Sequence, residues 1–204
     1  MFSLFSKIKT KANRRGLKDR EFEFLFEEDS SDEYIVFDTE TTGLNPKKDE
    51  ILSIGAVKIK DNRILTSQTF EVYIKNSCEI SSKSIEIHGI RPCDLEDAKT
   101  TEVAIKEFLN FIGSRPLIGY YLEFDVSMIN RYIKPMLGIT LPNSMIEVSE
   151  IYFDKTIALI PQGNIDLRFD TILQKCGVPD MGAHNAVNDA IMTAMIYLKL
   201  TRNK

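Results

Sequence analysis

Three β-rich runs come first in this chain, followed by strand-like runs that alternate with helical periods, and that order leaves few architectures open. Tyr34-Ile-Val-Phe-Asp38 is a short apolar run ended by an acid and reads as a buried strand. Ile51 to Ile59 is β-rich around Gly55, and Thr69 to Ile74 alternates; Asp61-Asn62 supplies turn chemistry between them, so a hairpin is expected. Apolar residues then recur at helical spacing (Val103, Ile105, Phe108, Leu109, Ile112) until Gly113 stops the pattern. Leu117 to Tyr121 is strand-like, Phe124 to Leu137 is helical and closes at Gly138, and Met145 to Val148 is expected as a further strand. Asp166 reads as the N-cap of a helix through Cys176, and Ala186 to Leu200 is the last helix. The order predicts an α/β layer fold whose opening hairpin makes the sheet mixed.

The 204 residues, 43% hydrophobic and 27% charged, suffice for one packed domain with an appendage. No run approaches the roughly 18 apolar residues of a membrane span, and the N-terminus lacks a secretory signal, so a cytoplasmic protein is expected. Cys78, Cys93 and Cys176 are too widely spaced for a disulfide framework or a zinc site and read as reduced thiols. The net charge of −4 argues against a protein that coats nucleic acid with positive charge. That charge is uneven: residues 1–20 carry +6 and residues 21–33 carry −7. The polar stretch Asp29 to Glu33 marks a break, so the domain is placed at 34–204 with an extension at 1–33. In the extension, Phe2, Phe5, Ile8 and Ala12 fall at helical spacing among lysines and arginines. Such a segment could dock on a partner protein, lie on an anionic membrane or nucleic acid, stay disordered, or fold Phe22 to Phe26 back onto the domain.

Four short segments carry chemistry. In Asp38-Thr39-Glu40 the alternate residues of an extended strand point the same way, so two carboxylates converge where a hard divalent cation would relieve their repulsion. Asp125, after Phe124, sits at a helix start, where an acid is more often a cap than a ligand. In His184-Asn-Ala-Val-Asn-Asp189, a histidine in the loop can fold back toward an acid one turn into an otherwise apolar helix, and that acid needs a partner. Ile87-His88-Gly89-Ile90 taken alone reads as a surface turn, yet it holds the second of only two histidines in the chain.

In this order the four segments resemble the DEDDh (DnaQ-like) 3′–5′ exonucleases, the family that includes the polymerase III epsilon proofreading subunit, over residues 34 to about 200. The resemblance implies an RNase H-like fold, a mixed five-stranded sheet flanked by helices. It implies that Asp38, Glu40, Asp125 and Asp189 hold two divalent metal ions, Mg²⁺ or Mn²⁺, with His184 as general base. By the same resemblance Thr39, Thr41, Thr42, Gly43, Leu44, His88, Tyr121 and Phe124 line the substrate pocket. The expected substrate is a single-stranded 3′ end, DNA preferred and RNA the alternative, cut to nucleoside 5′-monophosphates. A catalytically silent nucleic-acid-binding module would lack one of the five catalytic residues, and all five are present.

Two departures from the family stand out. Tyr120 and Tyr121 occupy the places of a His-Asn pair common among relatives, which leaves either extra stacking or core packing for Tyr120. The chain also ends four residues after Leu200, without an epsilon-like tail, which favours a nuclease acting alone or recruited in another way.

Overall fold

The computed structural model describes residues 10–159, 164–182 and 184–202. Its sheet comprises β1 (Glu33–Thr41), β2 (Ile51–Lys60), β3 (Arg63–Tyr73), β4 (Leu117–Gly119) and β5 (Met145–Glu147), in the order β3-β2-β1-β4-β5. The β1–β2 and β2–β3 pairs are antiparallel and the β1–β4 and β4–β5 pairs parallel, which gives the expected mixed five-stranded sheet. Asp61 and Asn62 turn the β2–β3 hairpin with φ of 50° and 57°, the left-handed pair that a two-residue turn needs.

Side-chain parity divides the core in two. Ile35 and Phe37 of β1 pack with helices α2 (Thr101–Ile112) and α3 (Leu122–Leu137) on one face. Val36, between them, points to the other face, where α4 (Val148–Leu159), α5 (Phe169–Lys175) and α6 (Ala186–Thr201) lie. The short helix α1 (Ser82–His88) covers the end of the sheet near the β1–β2 loop, where Ser84 Oγ donates to the Thr42 carbonyl at 2.9 Å.

Several elements differ from the sequence expectation. β3 begins at Arg63, ahead of its alternating part, because an edge strand can pair without burying one face. Helices α1 and α4 are additional. Asp166 does not cap α5: its carboxylate holds Arg168 at 2.6 Å and accepts the Thr171 hydroxyl at 2.9 Å, while the helix starts at Phe169. Packing also runs across the compositional boundary near residue 34. Leu17, Phe22 and Leu25 are buried in the same cluster as Phe37 and Phe108. Asn13 and Thr140 exchange hydrogen bonds of 2.8 and 3.0 Å, and the Lys18 N–H donates to the Leu137 carbonyl at 2.9 Å. Ala12 is exposed, and Phe2, Phe5 and Ile8 lie outside the described residues. No helix among the described residues is long and apolar enough to cross a membrane.

Candidate active site

The same parity that divides the core arranges the acids. Asp38 and Glu40 share the face of Val36 and therefore look toward α6, which carries Asp189. Oxygens of these three carboxylates lie within 4.8 Å of one another. Thr39 points to the opposite face and meets α3, where Asp125 Oδ1 accepts its N–H at 3.1 Å and its hydroxyl at 2.5 Å. Asp125 is thus the buried fourth acid behind a three-acid cluster. It lies inside the first turn of α3 and is not the helix cap.

Gly55 decides how closely α6 can approach. It pairs directly with Asp38 across β1 and β2. A Cβ on Gly55 would stand 2.2 Å from the Ala186 carbonyl carbon and from the Val187 nitrogen. Only glycine lets the start of α6 lie on the strand beside Asp38. The helix is capped by Asn185, whose side chain accepts the Asn188 N–H at 3.0 Å. Just before the cap, His184 turns the chain with φ of 68°, and its N–H donates to Asp189 Oδ2 at 2.9 Å. The other oxygen, Asp189 Oδ1, is buried with no hydrogen-bond partner among the described residues.

Burial raises the proton affinity of all four acids, and at Asp38 and Glu40 the neighbouring carboxylates add to it. Burial pushes Asp38 well above the usual carboxylate range, and Asp125, Glu40 and Asp189 push further. Burial, then Asp189 and Asp125, lifts Glu40 to about 7. Burial lifts Asp125 to about 7 against the two Thr39 hydrogen bonds, and Asp189 to about 6 against the His184 N–H. Crowded carboxylates with an orphaned buried oxygen suit a divalent cation, which takes oxygen ligands and removes the repulsion.

A cleft of 380 Å³ opens from the acids and brings together every residue expected there except Thr42, whose hydroxyl accepts the Glu50 N–H at 3.0 Å and so ties down the loop behind it. Thr39, Thr41, Gly43, Leu44, His88, Tyr121 and Phe124 all line it, as does His184. His88 is not a surface turn residue: it ends α1, is buried, and accepts the Ile90 N–H on Nδ1 at 3.1 Å. A neutral His88 therefore carries its proton on Nε2, which is buried and unpartnered among the described residues. Burial, and then the charge of His184, lowers its proton affinity, which favours the neutral form. Tyr120 packs on the Phe169 ring at 5.0 Å and donates its hydroxyl to the Leu167 carbonyl at 3.0 Å.

A second lobe of 400 Å³ shares Asp38, His184 and Asp189 and adds Arg168, Phe169 and Thr193, which the sequence reading did not include. It also did not include Glu147 at the end of β5, which accepts the Tyr121 N–H at 3.1 Å and the Leu122 N–H at 2.8 Å. Its place was open to inference, since sites in α/β sheets gather at the carboxyl ends of parallel strands.

The exonuclease family model RNase_T matches residues 35–197. DNA polymerase III PolC-type of Thermotoga petrophila is 34% identical over 166 residues, covering 81% of this chain but only 12% of that protein. DNA polymerase III subunit epsilon of Aquifex aeolicus is 26% identical over 167 residues, covering 82% of this chain and 79% of the subunit. The zinc-ion-bound complex of E. coli exonuclease I with single-stranded DNA matches with a TM-score of 0.68 at 16% identity, over 82% of this chain and 40% of that one. That likeness shows the RNase H-like exonuclease fold. With a family model matched across most of its length and this fold around its four acids, the chain belongs to the exonuclease family.

Proposed function

We propose that this protein is a metal-dependent 3′–5′ exonuclease that releases nucleoside 5′-monophosphates from single-stranded DNA ends in the cytoplasm, in DNA replication or repair. Residues 34–204 are its exonuclease domain, and residues 1–33 an extension of which the part around Phe22 and Leu25 braces that domain. The observation that carries this reading is the convergence of Asp38, Glu40 and Asp189 within 4.8 Å, with Asp125 behind them. Both the relatives and the fold neighbour are enzymes or subunits of DNA metabolism, which supports DNA over RNA.

The four acids would hold two divalent ions, Mg²⁺ or Mn²⁺. Bound there, such ions supply positive charge to the attacking and leaving oxygens of a phosphodiester. His184, exposed in the loop before α6, takes the proton of the attacking water. His88 offers its Nε2–H to an acceptor on the terminal nucleotide, and Phe124 with Leu44 forms the apolar wall beside it. The net charge of −4 is no obstacle to an enzyme that grips a strand end this way, because its acids are pooled where cations neutralise them.

Mass analysis of the products from matched single-stranded DNA and RNA tests the reading. Nucleoside 5′-monophosphates released faster from DNA are expected. Nucleoside 3′-monophosphates, or oligonucleotide fragments as first products, would contradict it, and faster release from RNA would reassign the substrate.

A further inference from the structure

Tyr121 occupies a position where its backbone is costly and its side chain unsheltered. It has φ of 56° and ψ of 35°, the left-handed region that bulky residues avoid. Glu147 locks it there: one carboxylate accepts the N–H groups of both Tyr121 and Leu122, and is itself fixed by the Ser149 N–H at 3.0 Å and hydroxyl at 2.7 Å. The result is that the two adjacent tyrosines part company. Tyr120 packs on Phe169, while Tyr121 stands 71% exposed at the lip of the cleft that holds the acids.

The lip has a definite chemistry. Leu44, 85% exposed, and Ile87, 48% exposed, share it with Tyr121 and Phe124. Among the described residues no lysine or arginine lines this cleft; Arg168 lines the second lobe instead, where Asp166 pairs with it, so the lip itself offers a phosphate no cationic side chain of that kind. The acids at its floor would take the phosphodiester through their cations, and the rest of a bound nucleotide then meets an apolar, partly aromatic surface. The ligand that fits is flat and uncharged.

We propose that Tyr121 is a stacking platform for a nucleobase of the strand end bound in this cleft, and that Glu147 is the positioning residue that holds the ring there. This rests on the exonuclease reading of the cleft. Every base has a π-face, so such a platform tolerates any sequence.

The chain contains no tryptophan, so Tyr121→Trp supplies a single fluorescent reporter. Titration with a nuclease-resistant, phosphorothioate-terminated oligothymidylate is expected to quench it by stacking. Tyr121→Ala should raise Kd by about five- to a hundredfold, and Tyr121→Phe should keep it near wild type. Tyr121→Asn, which accepts the left-handed backbone but lacks a ring, should bind like the alanine variant. Abasic residues at the strand end should weaken the wild type and leave Tyr121→Ala unaffected. Glu147→Ala, added to the tryptophan variant, should abolish the quench while cooperative unfolding persists. Wild-type binding with an unchanged Kd in Tyr121→Ala, or an equal abasic penalty in both, overturns the platform. Failure of the wild type to bind the oligonucleotide overturns the exonuclease reading itself.

Discussion

Adding one methyl group at Gly55 tests whether the approach of α6 to the sheet builds the site. The new Cβ would lie 2.2 Å from backbone atoms of Ala186 and Val187, where ordinary contact begins at 3.4 Å, so the start of α6 must retreat by about 1 Å. Backbone cannot rotate away as a side chain can. Overpacking of this kind costs about 1–3 kcal/mol of stability. With the ion-binding role proposed for Asp189 the functional cost is larger, because α6 carries Asp189 and the His184 loop, and metal ligation tolerates displacements of only about 0.2 Å. Misplacement by about 1 Å is worth on the order of a hundredfold in rate. The assay is kcat on a single-stranded oligonucleotide at saturating Mg²⁺, paired with urea unfolding. Gly177→Ala serves as control, since its φ of 62° strains an alanine but its Cβ meets nothing within 4 Å. The expectation is comparable destabilisation of the two variants with activity lost only at Gly55. Wild-type kcat in a folded Gly55→Ala protein would mean that the approach of α6 to the strand does not set the site.

Three further outcomes are expected. The metal-free protein should become less stable as pH rises from about 4.5 through 7, because the folded state binds these protons more tightly than the unfolded state. For Glu40 alone, a rise from 4.5 to about 7 corresponds to roughly 3 kcal/mol; melting curves in EDTA should show this slope, and millimolar Mg²⁺ should flatten it. Phe22→Ala should cost about 3–5 kcal/mol in urea unfolding, as for a core phenylalanine, whereas a merely appended segment would give no change. His184→Ala should lower kcat far more than metal affinity measured by calorimetry, and an equal loss of both would make His184 a ligand.

The acids were legible because strand parity and a short spacing are local facts. Asp38 and Glu40 had to share a face, and Asp189 had to lie one turn into an apolar helix. What the spacing did not reveal was that Thr39, on the opposite face, would claim Asp125 and set it apart from the other three. Gly55 stood out only as a glycine within a strand, and its partner is far away in the chain. Helix α1 is too short for a period to emerge, and α4 buries Val148 and Tyr152 while leaving Phe153 exposed, so its apolar residues mark no single face. Asp166 misled because an acid three residues ahead of the first helical residue has the composition of a cap; Arg168 binds it instead. Phe22 and Leu25 sit among Glu21, Glu23, Glu27 and Glu28, and that charge conceals their burial.

Loaded with divalent ions, these acids are proposed to shorten a strand from its 3′ end. Digestion of 5′-labelled single-stranded DNA addresses this most directly. A ladder that shortens stepwise from the 3′ end, lost in EDTA and lost in Asp38→Ala, is the predicted result. Cleavage that survives EDTA, or internal cuts as the first labelled products, would contradict it.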